Sequence, residues 1–179
     1  GVPEGTVERL AIELGGAELG GFFARHVDGC EDPPLTDLLH ALGVTMRLRP
    51  TAGPADRGGT PPKDADRLPR SWMGVRLTGD RSVKLAHVLT DGPAERAGLA
   101  GGDEIVAIDG LRATAESLER LATERQAAER VEVLAFRRDE LLRTHLTLGA
   151  APLDACWLEL DLDADGQASA RRGMWLGGT

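Results

Sequence analysis

The sequence predicts an α+β protein: a short helical amino-terminal segment, a small partly open β-barrel with two helices, and a carboxyl-terminal hairpin tail. Three observations carry that reading. Apolar residues recur at helical spacing in the first fifty residues and again from about Thr114 to Ala128; alternating apolar runs crowd the stretch from Val75 to Leu148; and Gly and Pro stand where elements must stop. The boundaries that follow are 1–50 for the helical segment, 51–70 for a Gly/Pro-rich linker, 71–149 for the barrel and 150–179 for a β tail.

A chain of 179 residues can bury one good core or two small ones, and 41% hydrophobic with 28% charged residues is ordinary for a globular protein. The net charge is −8 and the basic residues are scattered, which removes the attraction that phosphate backbones rely on and argues against a nucleic-acid partner. No apolar run approaches the roughly 20 residues of a membrane span, so no membrane span is expected. Cys30 and Cys156 stand apart without a CxxC neighbour, so neither a zinc knuckle nor a disulfide framework is indicated. The chain starts at Gly1 with no apolar leader, which reads as processing or a fragment. A soluble protein is expected, its compartment left open between cytoplasm and periplasm.

In "GTVERLAIELGG", Thr6 is placed to cap a helix whose Val7, Leu10, Ala11 and Leu14 share a face, and Gly15 and Gly16 stop it. A second helix, about Gly20 to Val27, carries Phe22 and Phe23. "EDPPLTDLLHALG" puts Pro34 near a third start, spaces Leu35, Leu38, Leu39 and Leu42 on one face, and stops at Gly43. "VTMRLR" alternates as a strand with Val44, Met46 and Leu48 on one side. Such short helices need a surface for their apolar faces, either the body of a larger helical domain or the rest of this chain.

From Thr51 to Arg70 the sequence is dense in Gly and Pro and without periodicity, as expected of a linker or long mobile loop. Val75 and Leu77 open a strand that turns at "TGDRS" into a second one carrying Val83, Leu85, His87 and Leu89. "DGPAERAGLAGGD" encodes a single-turn helix with Pro93 near its first position and Gly98 as a left-handed stop. "EIVAIDG" is a strand into an Asp-Gly turn; a helix from about Thr114 to Ala128 turns Leu118, Leu121 and Ala122 inward, with Glu116/Arg120 and Arg125/Glu129 as solvated pairs; "VEVLAFRRDELLRTHLTL" is a hairpin turning near Asp139. The tail is expected to form a last hairpin anchored by Trp157 and Trp175.

Two fragments mimic chemical sites. "DLDADGQ" has Asp161, Asp163, Asp165 and Gly166 where a calcium loop begins, but Arg172 stands where the bidentate glutamate belongs, so a turn through Asp165-Gly166 is favoured. His26 and Cys30 lack a third, orienting group, and structural roles are favoured for both.

The span Ser71 to Leu148 resembles a PDZ domain. Trp72, Met73, Gly74 and Val75 match its X-Φ-G-Φ loop, and "GPAERAGLAGGDEIVAIDG" matches its long signature with Gly92 in place of the usual serine. Successive N–H groups around a glycine turn can receive an anion, and a peptide can add as a strand beside "VRL". The resemblance therefore implies a peptide carboxyl terminus as partner and a pocket formed by Trp72, Met73, Gly74, Val75, Leu77, Leu118 and Leu121, with Thr114 and Arg125 at its flanks. The helix phase leaves open whether Leu118 or Leu121 faces the groove, and Trp72 stands where a bulky side chain can instead fold over it.

A wider resemblance covers the flanks. "FFARHVDGCEDPPLTDLLHALGV" and the terminal "RRGMWLGG" are similar to the end of the catalytic domain and the chain end of glycyl aminopeptidase-family zinc metallopeptidases; Cys30 and His26 depart from the family's usual threonine and tyrosine. Zinc hydrolysis of that kind needs an HExxH helix and a further glutamate. His26, His40, His87 and His145 do not form one. The resemblance thus implies a non-catalytic, bacterial-type carboxyl-terminal part, inactive alone and without its own cofactor, with zinc in an upstream catalytic domain that is also its partner. The alternative is a structural module packed on that catalytic body with no peptide-binding role.

Overall fold

Residues 1–53, 55–78 and 82–177 are described by the computed structural model. The helical spacing at the amino end gives α1 (Thr6–Gly15), α2 (Glu18–His26) and α3 (Leu35–His40), followed by β1 (Val44–Arg49). A 3-10 turn at Ala65–Arg67 precedes β2 (Ser71–Trp72), β3 (Val75–Thr78), β4 (Val83–Val88), α4 (Pro93–Arg96), β5 (Glu104–Ile108) and β6 (Leu111–Arg112). Then come α5 (Ala115–Glu124), β7 (Arg130–Arg137), β8 (Glu140–Thr147), β9 (Gly149–Ala150), β10 (Ala155–Leu160) and α6 (Gly166–Trp175). The chain forms two units, Met46–Glu159 and a second made of Gly1–Thr45 with Leu160–Thr179.

In the unit Met46–Glu159, alternation has built an antiparallel sheet in the order β3-β4-β5-β7-β8, with β6 on β5. Two-residue turns set its registers. Asp109 and Gly110, both at positive φ (49° and 77°), join β5 to β6, and Arg138 with Asp139 joins β7 to β8 so that Arg137 faces Glu140. Every second residue then points inward, and Val83, Leu85, Ile105, Val131, Val133 and Leu146 make a fully buried core. Pro93 starts α4 and Gly98 (φ 79°) ends it. Thr114 caps α5 through a reciprocal exchange with Ser117, and Leu118 from that helix closes the core.

The fold is α+β as expected, with a sheet that stays open: β2 pairs with β9 and not with β3, so β3 keeps one edge open. Several other expectations are corrected. The helix α5 stops at Glu124 because Arg125 is extended and Ala128 takes a positive φ of 70°. Arg125 and Glu129 do pair at 3.0 Å, but beyond the helix. The Gly/Pro-rich stretch lies inside this unit and is tied down: Asp56 binds Arg49 and accepts from Ala52 N (2.8 Å) and Gly58 N (2.9 Å), and Gly59 N donates to Cys156 O at 2.6 Å. The turn expected at "TGDRS" falls largely on residues 79–81, outside the described residues.

The other unit is packed differently. None of α1, α2 and α3 contains a buried residue. The N-cap of α1 is Gly5 at φ 72° with no side-chain cap, and Thr6 is already helical. The tail makes a helix, α6, where a second hairpin strand was expected: Asp165 accepts from Ala168 N at 2.7 Å and so caps a helix instead of turning a hairpin. Trp175 is largely exposed on it and anchors nothing; Trp157 donates from Nε1 to Glu159. Arg172, the residue that breaks the calcium-loop pattern, donates to Leu42 O and Gly43 O and so ties α6 to the end of α3. In β1, Val44 is buried as expected, but Leu48 is exposed and Arg49 is buried, because the Asp56 carboxylate compensates the guanidinium.

Candidate functional site: a groove between an edge strand and a helix

The strand β3 bonds to β4 along one side only. Its inward residues Val75 and Leu77 face α5 across a cavity of about 280 Å³. The loop that leads into β3 closes one end of this groove. Its shape comes from Gly74, at φ 77°, where an added Cβ would meet Pro93 Cδ at 3.0 Å and Gly92 Cα at 3.2 Å. The loop is stapled to its surroundings through its carbonyls, with Ala94 N donating to Met73 O (2.8 Å) and Leu89 N to Gly74 O (2.9 Å). Its carbonyls are thus engaged, while no hydrogen bond among the described residues takes up the Gly74 N–H.

The carboxyl end of α5 is fastened beside this loop. Arg70 N donates to Ala122 O at 2.8 Å and the buried Ser71 hydroxyl donates to Leu121 O at 3.4 Å. This gives the groove a direction: Gly74, Leu121 and Ala122 lie at the loop end, and Leu77 and Ala115 lie farther along.

All seven residues singled out in the sequence line this cavity: Trp72, Met73, Gly74, Val75, Leu77, Leu118 and Leu121. Met73 and Leu118 belong to the core as well, at 6% and 8% exposed. The choice between Leu118 and Leu121 dissolves, since one lies deeper and both contribute wall. Trp72 does not fill the groove; it is half-buried in β2, opposite Gly149, where an added Cβ would meet Trp72 Cε3 at 3.5 Å. Thr114 and Arg125 are not part of the lining. Thr114 caps α5, and Arg125 binds Asp109 (3.1 Å) and Glu129.

Sequence reasoning missed two groups. Ala115, Glu119 and Ala122 form a stripe at i, i+4 and i+7 on α5, a spacing that was legible once the groove face was known. Pro50, Thr51, Pro152 and Asp154 also line the cavity, from segments about a hundred residues apart. Thr51 N donates to Asp154 Oδ1 at 2.8 Å, and the Arg49–Asp56 pair holds the preceding turn. The Arg49 guanidinium beside it, helped by the Ala52 and Gly58 amides, keeps the Asp56 carboxyl well below the usual carboxylate range.

Residues 63–134 match the PDZ domain family. This part of the chain is a PDZ domain. Over 98% of its length the chain is similar to an aminopeptidase N family protein from Idiomarina loihiensis, at 25% identity and a TM-score of 0.78. The chain spans 29% of that protein's own chain. The PDZ domain and its flanking segments together share the fold of the matched part of that protein. Two further solved structures share about half of this chain: an HtrA-type protease AlgW with a decapeptide (22% identity, 47% of this chain and 30% of that one, TM-score 0.44) and the serine endoprotease from Yersinia pestis (25%, 47% and 30%, TM-score 0.42). Comparison with curated protein sequences finds no match.

Beyond the groove, no group of three His, Cys, Asp or Glu among the described residues is arranged to hold a metal ion. No helix among the described residues is long and apolar enough to cross a membrane.

Proposed function

We propose that the PDZ groove captures the carboxyl terminus of a peptide or protein, in a chain that forms the non-catalytic, carboxyl-terminal part of a glycyl-aminopeptidase-like metallopeptidase. The observation that carries the binding part is the open edge of β3 beside an apolar cleft. An extended peptide laid there gains main-chain hydrogen bonds from β3, and every second side chain turns toward α5. Its last side chain enters between Met73, Val75 and Leu121, while its carboxylate meets the turn at Gly74, where an N–H is left over. In the larger protein, zinc and the hydrolytic residues belong to the upstream catalytic domain, and the PDZ domain presents a substrate or tethers a partner.

The test is binding of this chain to peptides ending in an apolar residue, as free acids and as amides. A charge-assisted hydrogen bond contributes about 1.5–3 kcal/mol, so amidation is expected to weaken binding about tenfold or more. Leu121→Glu puts a carboxylate into the terminal pocket and is expected to abolish binding, with circular dichroism showing that the fold persists. No affinity for any free-carboxylate peptide would sink the groove assignment and favour a packing role for the domain.

A further inference from the structure

The groove reaches beyond the stretch that the family match covers. Pro50 and Thr51 on one side and Ala151, Pro152 and Asp154 on the other line the same cavity as Leu121, and all of them lie outside residues 63–134. One clasp joins the two segments: Asp154 accepts from Thr51 N at 2.8 Å and from Thr51 Oγ1 at 3.4 Å. Thr51 follows the end of β1 and Asp154 directly precedes β10, and those two strands pair with each other. Behind the clasp the frame is tied down. The buried Arg49, last residue of β1, donates to Asp56, to Pro50 O (3.0 Å) and to Thr60 O (3.4 Å), and Gly59 N donates to Cys156 O on β10. Gly58 fits close under that strand, since at φ 70° an added Cβ would meet Cys156 O at 2.7 Å. Asp154 is exposed, so its bond to Thr51 competes with water and opens more readily than the buried Arg49 pair.

We propose that Asp154 is a positioning residue of the groove: its bond to Thr51 holds the wall on which a captured carboxyl terminus rests, and through that wall occupancy of the groove is passed to the β1–β10 ribbon. The two halves of the wall come from positions 103 residues apart. With the clasp open, each half is free to move about the end of its own strand, and a wall that must be ordered on binding subtracts that ordering from the affinity. The reverse holds by linkage: whatever free energy the closed clasp adds to binding, binding returns to the closed clasp and to the strands rooted in it. The chain enters the unit Met46–Glu159 within β1 and leaves it within β10, so the ribbon carries both chain connections of the unit that holds the groove. The inference rests on the carboxyl-terminus reading above and adds to it a residue outside the matched domain and a route by which capture is felt there.

The experiment uses the whole chain as wild type, Asp154→Ala and Asp154→Asn, with the free-acid peptide that binds the wild type most tightly in the capture test. Asp154→Ala removes the acceptor, whereas Asp154→Asn removes the charge and keeps an amide oxygen for the Thr51 N–H. Asp154→Ala should bind the peptide about fivefold more weakly, the factor for one lost hydrogen bond, and Asp154→Asn should stay within about twofold of the wild type. Hydrogen exchange gives the second readout: saturating peptide should slow the amides of β1 and β10 in the wild type and in Asp154→Asn, and leave them unchanged in Asp154→Ala. Wild-type affinity in Asp154→Ala, or ribbon amides that ignore the peptide in the wild type, overturns this inference and leaves capture standing. So does an Asp154→Asn variant as weak as Asp154→Ala, which would mark the charge of Asp154, and not the clasp, as what the ligand meets. Absence of binding by every free-acid peptide overturns it together with the reading beneath it.

Discussion

The two units solve the burial problem in opposite ways. In Met46–Glu159, Leu85, Ile105, Val131, Val133 and Leu146 are at most 2% exposed, and α5 contributes Leu118 to that core. In the other unit only Val44 and Ala168 among the described residues are buried apolar ones, and Val7 and Leu14 of α1 are mostly exposed although that helix is amphipathic in sequence. A sheet with a helix across it completes its own hydrophobic contacts. Three helices of six to ten residues do not, since propensity alone leaves such short helices marginal. The contrast teaches that a sheet crossed by a helix can bury its apolar face within its own stretch of chain, whereas short helices of this kind leave theirs exposed.

The largest way to break this contrast is in the sheet core. Leu146→Ala empties a fully buried position on β8 opposite Val131 and should cost about 2–5 kcal/mol, read as a lower urea midpoint with unchanged slope. A cost under 1 kcal/mol would mean that the sheet is looser than its burial indicates.

Next in size is Asp103→Asn. Asp103 is 1% exposed, accepts from Arg137 Nε and Nη2 at 2.9 Å each, and accepts from Ala100 N. Its loss should cost about 1–3 kcal/mol at neutral pH. The arginine beside it, with the Ala100 amide, holds its carboxyl below the ordinary value of 3.8. A depressed folded-state value means that the contribution is complete above about pH 3.8 and is lost as pH falls through the lower folded-state value. Urea midpoints of wild type and Asp103→Asn should therefore converge in acid; a gap that stays constant down to pH 2 would contradict the pairing.

A smaller effect is expected at the loop. Gly74→Ala forces a Cβ against Pro93 and Gly92 at φ 77° and should cost about 1–2 kcal/mol while weakening peptide capture. Smallest is Leu14→Ala on α1, 86% exposed, expected to change stability by no more than about 0.5 kcal/mol in this chain. A loss as large as that of Leu146→Ala would show that the helical unit buries more in solution than these contacts provide.

Much of the groove was legible because its parts are local. The Trp72–Val75 loop, the Pro93 start and Gly98 stop of α4, and the Asp109-Gly110 turn each declare themselves through backbone demands that few residues meet. Legibility failed where the deciding contact is distant. Thr51 and Asp154 reach one cavity from opposite ends of the domain, and Leu48 and Arg49 exchange the expected burial because Asp56 lies beside the guanidinium. It failed also where one pattern serves two structures: Asp165-Gly166 can turn a hairpin or cap a helix, and the Ala168 amide decides for the helix.

The sequence by itself determined the order of the main strands and helices from β3 to β8, the loop glycine and the apolar face of α5, because periodicity and turn chemistry act over a few residues. Only the tertiary structure decided that β3 keeps a free edge, that α5 is fastened beside the Gly74 loop through Ser71 and Arg70, and that Glu119 stands on the wall. Those outcomes depend on which distant segments pair, and β2 choosing β9 over β3 is settled by the summed packing of the whole domain, which no short window of sequence contains.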